Sequence, residues 1–207
     1  GLLHRGLMPN MVGDTVESSS YNSADASLWF AWAVRHYDRA GAPRDEILDL
    51  FLPALTRIAI LYRDGTALGI AATPDHLLEA GGPDLNVTWM DARVNDRPVT
   101  PRHGCAVEMN ALWYALLAYL EELGRCKGDR WQADAWRTHR ENAGRAFRSA
   151  FWLQRGPYLA DIWRPHEIDR SIRPNMLIAA ALEDSPLTPA ERRDVVRVAE
   201  SQLLTPR

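Results

Sequence analysis

Helical spacing of apolar residues recurs through most of the chain and constrains its fold more than any other feature. No long alternation of apolar and polar residues is present, so the predicted class is all-α, with short β segments expected only near residues 67–71 and 158–163. The helical spacing predicts six helices, at about residues 24–39, 43–64, 107–123, 130–152 and 176–182, with the last beginning at 188.

The predicted helices are joined by two kinds of connection. Helices one and two are joined through residues 41–42, and helices five and six through 184–187. By contrast, about forty residues separate helices two and three, and about twenty separate helices four and five. A loop of that length is uncommon in a compact domain unless it is functional. The pattern therefore indicates a helical toroid whose active site lies on the face with the long loops.

Local signals place the ends of several helices. Asn22 and Ser23 are suitable caps for the first helix, and Gly124 is predicted to end the third. Thr188 and Glu191 have the spacing of a capping box at the start of the sixth.

Composition argues against several classes of function. The net charge of −3 does not suit a nucleic-acid binder, and no apolar stretch is long enough to cross a bilayer, so neither nucleic acid nor a membrane is an expected partner. The histidines lack metal-ligand spacing, and there is no phosphate-binding loop or Gly-x-Ser-x-Gly elbow, so we expect no metal and no cofactor. Two cysteines without a framework fit a reducing cytoplasm.

The eight tryptophans are the one unusual feature of the composition. An indole joins an apolar ring to one polar edge, which suits the C–H faces and hydroxyl edges of a sugar. For any single tryptophan, a role as a large core filler is at least as good an interpretation.

Asp91, which follows Trp89 and Met90, is a candidate acid catalyst. A carboxyl group that donates a proton near neutral pH needs a raised pKa, and packing against an indole and a thioether would raise it by desolvation. A lone aspartate in a loop is more often a turn or cap residue, so the pattern alone leaves both interpretations open.

A second candidate group surrounds the start of the third helix. Glu108 and Asn110 lie in its first turn, and Arg102 and His103 precede it. These side chains could hydrogen-bond to sugar hydroxyls. Residue types alone favour the alternative, in which Glu108 is an ordinary N-terminal helix acid and Arg102 its surface partner.

Seven short motifs make the chain resemble the C-terminal amylo-α-1,6-glucosidase domain of glycogen debranching enzymes, above all the bacterial form. Each motif is weak alone, but their common order is specific and covers essentially the whole chain, residues 1–207. The motifs are residues 6–10, 21–29, 88–92, 100–104, 107–114, 172–175 and 203–206.

The resemblance implies an (α/α)6 barrel of twelve helices, of which this chain would supply roughly six. It implies inverting hydrolysis of the α-1,6-linked glucose at a glycogen branch point, with Asp91 as the general acid. Expected partners are glycogen, limit dextrin or branched maltooligosaccharides, the rest of a parent polypeptide and a second copy in a homo-oligomer. The positions that would line sugar subsites are Tyr21, Asn22, Asp25, Trp29, Trp89, Arg102, His103, Glu108, Arg173 and Asn175.

The chain also departs from the family pattern. In the family, a Trp-Gly-Arg-Asp stretch precedes residues 6–10, and a segment with the catalytic base follows residues 203–206. We therefore expect residues 1–207 to be a partial catalytic domain, inactive alone, whose base lies beyond Arg207. Inverting hydrolysis needs a second carboxylate about 6.5–9.5 Å from the first, and Glu108 is the only internal candidate. Ser23, where Thr is usual, and Cys105 are smaller departures.

Two other functions remain open. One is a related (α/α)6 hydrolase of the glucoamylase, trehalase or processing α-glucosidase type. The other is an inactive helical module that only binds glycans or a partner protein. Relative rates on α-1,6, α-1,4 and α-1,1 linked glucosides would distinguish the hydrolases, and a binding measurement would identify the module.

Overall fold

The computed structural model describes residues 2–205, which form six helices and nine very short strands. Helix α2 covers residues 44–64 in three parts, Arg44–Glu46, a π-helical turn at Ile47–Phe51, and Leu52–Asp64. The other helices are α1 (Ala26–Arg39), α3 (Val107–Lys127), α4 (Arg130–Phe151), α5 (Asn175–Ala181) and α6 (Pro189–Leu203).

The helices form three consecutive hairpins, α1 with α2, α3 with α4, and α5 with α6. Helix α3 is central, because it packs against α1, α2, α4 and α5. Its side chains are buried almost all around the helix, whereas α4 buries one face and exposes its arginines. The near-absence of polar positions in residues 107–123 accounts for the burial of α3 on nearly every side.

Two predicted helix ends were wrong. Helix α3 continues past Gly124 and ends at Gly128, which adopts a left-handed backbone conformation with φ of +81°. Gly124 instead lets α4 approach, since a Cβ atom there would lie 3.1 Å from the Ala133 nitrogen. At α1, the capping position is Asp25, and the Ser23 hydroxyl donates a hydrogen bond to its carboxylate.

The long connections are built from strand pairs. Between α2 and α3, β1 (Ala71–Ala72) pairs with β2 (Leu78–Glu79), and β3 (Arg93–Val94) pairs with β4 (Arg97–Pro98). Residues 67–69 form a 3-10 turn, so a strand occupies only the end of the first predicted β segment.

Between α4 and α5, β6 (Trp152–Leu153) pairs with β7 (Tyr158–Leu159), in the second predicted β segment. A three-stranded antiparallel sheet then joins the two long connections. In it, β8 (Ile162–Arg164) lies between β5 (Cys105–Ala106) and β9 (Glu167–Asp169). This sheet brings the segment before α5 against the start of α3.

The tryptophans divide between core and surface. Trp113 and Trp136 are buried in the core, so the core-filler interpretation holds for these two. Trp32, Trp89 and Trp131 expose a large part of their rings. No helix within residues 2–205 is both long and apolar enough to cross a membrane, and these residues contain no cluster of three or more potential metal ligands.

The predicted capping box is present at the start of α6. The Thr188 hydroxyl accepts a hydrogen bond from the Glu191 N–H, and the Glu191 carboxylate accepts one from the Thr188 N–H. Thr188→Ala is expected to lower the free energy of unfolding by about 1 kcal/mol, because one helix N–H loses its partner. Urea denaturation measures this loss. Thr138→Ala, an exposed position inside α4, is the control, and an equal loss there would contradict the capping role.

Candidate active site

The N-termini of α1, α3 and α5 meet where the long connections cross them. Each contributes one predicted site residue: Asp25 occupies the N-cap position of α1, Glu108 lies in the first turn of α3, and Asn175 begins α5. All three side chains are buried, with Glu108 fully enclosed. The structure therefore brings together residues that are up to 150 positions apart in the sequence, counting from 25 to 175.

Arg102 is the centre of a buried ion-pair network. Its guanidinium donates to both carboxylate oxygens of Glu108, and Nη2 lies 2.7 Å from Glu108 Oε2. On its other edge, Nε and Nη2 each lie 2.9 Å from an oxygen of Asp161. A further bond of 3.1 Å reaches Thr88 Oγ1. The Arg102 and Glu108 side chains are 1% and 0% exposed, so neither the surface pair nor the open cleft considered from the sequence is present.

Asp161 links this network to α5. Besides the two bonds from Arg102, its carboxylate accepts one of 2.7 Å from Arg173 and one of 2.7 Å from the Asn175 side chain. Its main-chain oxygen also accepts the Val107 N–H at the start of α3. Asp161 was not among the predicted site residues. The available signal was charge balance, because Arg102 and Arg173 both belong to motifs, and arginines that are buried or partly buried in a fold need carboxylate partners.

Trp89 is held from two sides above this network. Its main-chain N–H donates to Asp25 Oδ2 at 3.2 Å, and its indole Nε1 donates to Asn175 Oδ1 at 3.0 Å. The Asn175 amide nitrogen also lies 3.4 Å from the Met90 sulfur. Trp89 is nevertheless 52% exposed. Because hydrogen bonds fix its main chain and its ring edge, the exposed ring forms a rigid aromatic surface.

Asp91 follows directly on this fixed segment and is exposed. Its carboxylate forms no hydrogen bond or ion pair with the residues that the structure describes. The enclosed environment that we expected from the neighbouring indole and thioether is therefore not formed by residues 2–205 alone.

The remaining predicted residues lie around the same helix ends with varied exposure. Tyr21 is partly buried and its hydroxyl donates to the Leu2 carbonyl at 2.8 Å. Asn22 is exposed, and Trp29 is partly buried with its ring edge-on to Trp32. His103 is partly buried, and its Nδ1 has no hydrogen-bond partner within the described part of the chain.

The electrostatics of the site shift the pKa of several of its groups. Burial acts to lower the pKa of Arg102, but the carboxylates of Glu108 and Asp161 outweigh it and raise the pKa, so Arg102 stays protonated. Burial raises the pKa of Asp25, against the hydrogen bonds from Ser23 and the Trp89 N–H. Burial and the charge of Arg164 lower the pKa of His103, which favours its neutral form at pH 7.

Asp169 gives the network a pH dependence. Burial acts to raise its pKa, but hydrogen bonds from Ser171 and Arg173 outweigh this and lower it from 3.8 to about 2. Because the folded pKa lies below the ordinary value, the stabilisation is complete above about pH 5 and is lost as the pH falls toward 2. Asp169→Asn is expected to cost about 1–2 kcal/mol at pH 7 and progressively less between pH 5 and 3.

Urea denaturation of wild type and variant across this pH range measures the effect. Asp49→Asn is the matched control, because Asp49 is an exposed aspartate without a partner among residues 2–205. A difference between Asp169→Asn and wild type that stays constant from pH 7 to 3 would contradict the lowered pKa.

Comparison with known proteins agrees with this architecture. The family described as amylo-alpha-1,6-glucosidase matches residues 1–207. No curated protein matches the chain. Among solved structures, the chain is similar to a rhamnosidase from Klebsiella oxytoca with rhamnose bound, at a TM-score of 0.61 and 15% identity.

That similarity covers 96% of this chain and 35% of the rhamnosidase chain, so the chain spans about a third of this neighbour's length. At this identity the likeness concerns the fold. The neighbour is an (α/α)6 glycosidase, a fold with six helical hairpins, and this chain has three such hairpins. The all-α toroidal class predicted from the sequence is therefore confirmed.

Proposed function

The chain belongs to the amylo-alpha-1,6-glucosidase family, a family of glycoside hydrolases, and from this premise we propose that it contributes the acid half of an inverting α-1,6-glucosidase site. The substrate is the glucose stub at a branch point of glycogen, limit dextrin or a branched maltooligosaccharide, and the product is glucose. The proposed location is the cytoplasm. The two cysteines are unpaired, which is compatible with the reducing conditions of that compartment.

The observation that carries this proposal is the rigid mounting of Trp89, two positions before Asp91 in the chain. Asp25 and Asn175 fix Trp89 at its main chain and at its ring edge. An acid catalyst must be held within reach of the leaving oxygen, because small misplacements cost large factors in rate. The exposed Trp89 ring offers a stacking surface for a sugar beside the Asp91 carboxylate.

Exposure of Asp91 in the free protein is compatible with a role as general acid. A bound glucan would cover the carboxyl group and exclude water from it, and loss of solvation raises the pKa of a carboxyl group. Substrate binding would thus supply the desolvation that residues 2–205 do not.

The buried predicted residues support the site in this proposal. Arg102, Glu108 and Asn175 are enclosed. We therefore propose that they hold Trp89 and the helix ends in position. Glu108 has both oxygens bonded to Arg102 and no exposed surface, which argues against it as the base that activates water. Asn22, Trp29, Trp89 and His103 are the accessible members, and we propose that these contact sugar.

The test is the relative rate of glucose release from substrates that differ only in linkage. We expect a form of the protein that releases glucose to act on α-1,6 branch points well above α-1,4 or α-1,1 linked glucosides. The first product detected by proton NMR should be β-glucose, since inversion converts the α-linkage. Preference for another linkage would transfer the assignment to a related hydrolase. Glucan binding without turnover would indicate a binding module.

A further inference from the structure

Two adjoining clefts lie along strand β8 and share Pro74, Asp75 and Trp163 in their walls. Their volumes are about 420 and 350 Å3, within the range of small-ligand sites. Neither cleft is lined by Asp91 or by any residue predicted to line a sugar subsite. We call the pair, lined by these three residues together with His76, Glu79 and Ser149, the Trp163 groove.

The aromatic wall of the groove is rigid. Trp163 lies in the middle of β8, opposite Cys105 on β5 and Ile168 on β9, so strands on both sides hold its main chain. Its side chain packs against the core and is only partly buried, which leaves part of the ring on both clefts. A ring already fixed in this way loses little conformational entropy when a ligand stacks on it.

The groove carries two free carboxylates. Asp75 and Glu79 are exposed and form no hydrogen bond or ion pair through their side chains with other residues of the described range 2–205. Of the arginines of the groove, Arg164 is paired with Glu167 and also donates to the His103 carbonyl, whereas Arg145 donates to the Asn142 side chain and has no carboxylate partner within residues 2–205. The groove therefore offers both acceptors and a donor to the hydroxyl groups of a neutral ligand.

We infer that the Trp163 groove is a second, non-catalytic glucan-binding site. A pyranose face would stack on Trp163, and the free carboxylates of Asp75 and Glu79 would accept hydrogen bonds from its hydroxyls. The choice of a glucan rests on the proposed function. For a branched polymer, a second attachment raises the local concentration of chain ends at the first site.

The test uses the full chain labelled with 5-fluorotryptophan and titrated with maltoheptaose. Fluorine NMR then reports each tryptophan separately, with Trp89, Trp131 and Trp163 assigned by substitution to Phe. We expect the Trp163 resonance to shift saturably, and the Trp131 resonance to stay unchanged, since Trp131 is 82% exposed on α4 and lines neither cleft. An unchanged Trp163 resonance while maltoheptaose shifts that of Trp89 would overturn the groove and leave the proposed function standing.

Two variants test the walls of the groove. Trp163→Ala is expected to lower the affinity of the groove for maltoheptaose about tenfold, as measured by calorimetry. Because Trp163 is partly buried, its replacement could disturb folding, so Asp75→Ala provides a second variant at an exposed position. For Asp75→Ala we expect the affinity for maltoheptaose, measured from the Trp163 resonance, to fall about threefold. The matched control is Asp49→Ala on α2. Equal affinities in wild type and in both groove variants would overturn the inference.

Two further outcomes separate the alternatives. If no tryptophan responds to maltoheptaose, the glucan class itself is wrong, and the proposed function falls together with the groove. If spermidine displaces maltoheptaose from Trp163, or binds there in its place, the groove is a site for cations and the inference of a neutral ligand is overturned.

Discussion

Asp91→Asn is expected to reduce glucose release from a branched limit dextrin by at least about a hundredfold, and up to about 10⁴-fold, in any form of the protein that releases glucose. The amide cannot protonate the leaving glycosidic oxygen, so the step that needs an acid loses its donor. Folding should be unaffected, because Asp91 is exposed and has no partner within residues 2–205, and such surface changes usually stay within about 0.5 kcal/mol.

The matched control for this substitution is Asp84→Asn. Asp84 lies in the same connection, is also exposed and forms no ion pair within the described chain. Its replacement should leave the rate unchanged. A further arm uses a substrate with an activated aryl leaving group, which needs little protonation and should therefore restore much of the lost rate. Undiminished turnover by Asp91→Asn would remove Asp91 from the role of acid.

Most of the fold could be predicted from the sequence because helix formation leaves local signals. Apolar spacing and caps placed all six helices, and the Thr188 capping box formed as expected. The end of α3 could not be predicted locally, since Gly124 is a helix-ending residue by type. Its actual role depends on the approach of Ala133 from α4, which is a tertiary contact.

The residues of the site could be predicted as a set, but which of them are buried and which are exposed could not. Motif order identified Arg102, Glu108 and Asn175, whereas their burial depends on the β5–β8 pairing, which folds a segment about sixty positions away over the start of α3. For Asp161 the sequence held no signal besides charge balance with distant arginines. Its side-chain donors lie 12, 14 and 59 positions away, so only the folded chain shows it as the link between the helix ends.

Removing the buried guanidinium is expected to have the largest effect on stability. Arg102→Ala should lower the free energy of unfolding by about 3–5 kcal/mol, because Glu108 loses both of its donors and Asp161 loses two of its four, and both carboxylates are buried. Arg102→Lys should recover only part of this loss. A single ammonium cannot reproduce two bidentate contacts on opposite edges.

Urea denaturation with Arg137→Ala as the control decides whether burial is the cause. Arg137 pairs with Asp134 on the surface of α4, where both side chains are largely exposed, and such pairs contribute about 0–1 kcal/mol. If the two alanine variants lose similar amounts, the network around Arg102 is not the support of the site.

If Arg102→Ala alone is strongly destabilised, a second measurement follows. The fluorine resonance of Trp89 in Arg102→Lys should broaden or shift, because Arg102 is connected to the Trp89 indole through Asp161 and Asn175. An unchanged Trp89 signal in a folded variant would restrict Arg102 to holding the helix ends, with Asn175 alone fixing the ring beside Asp91.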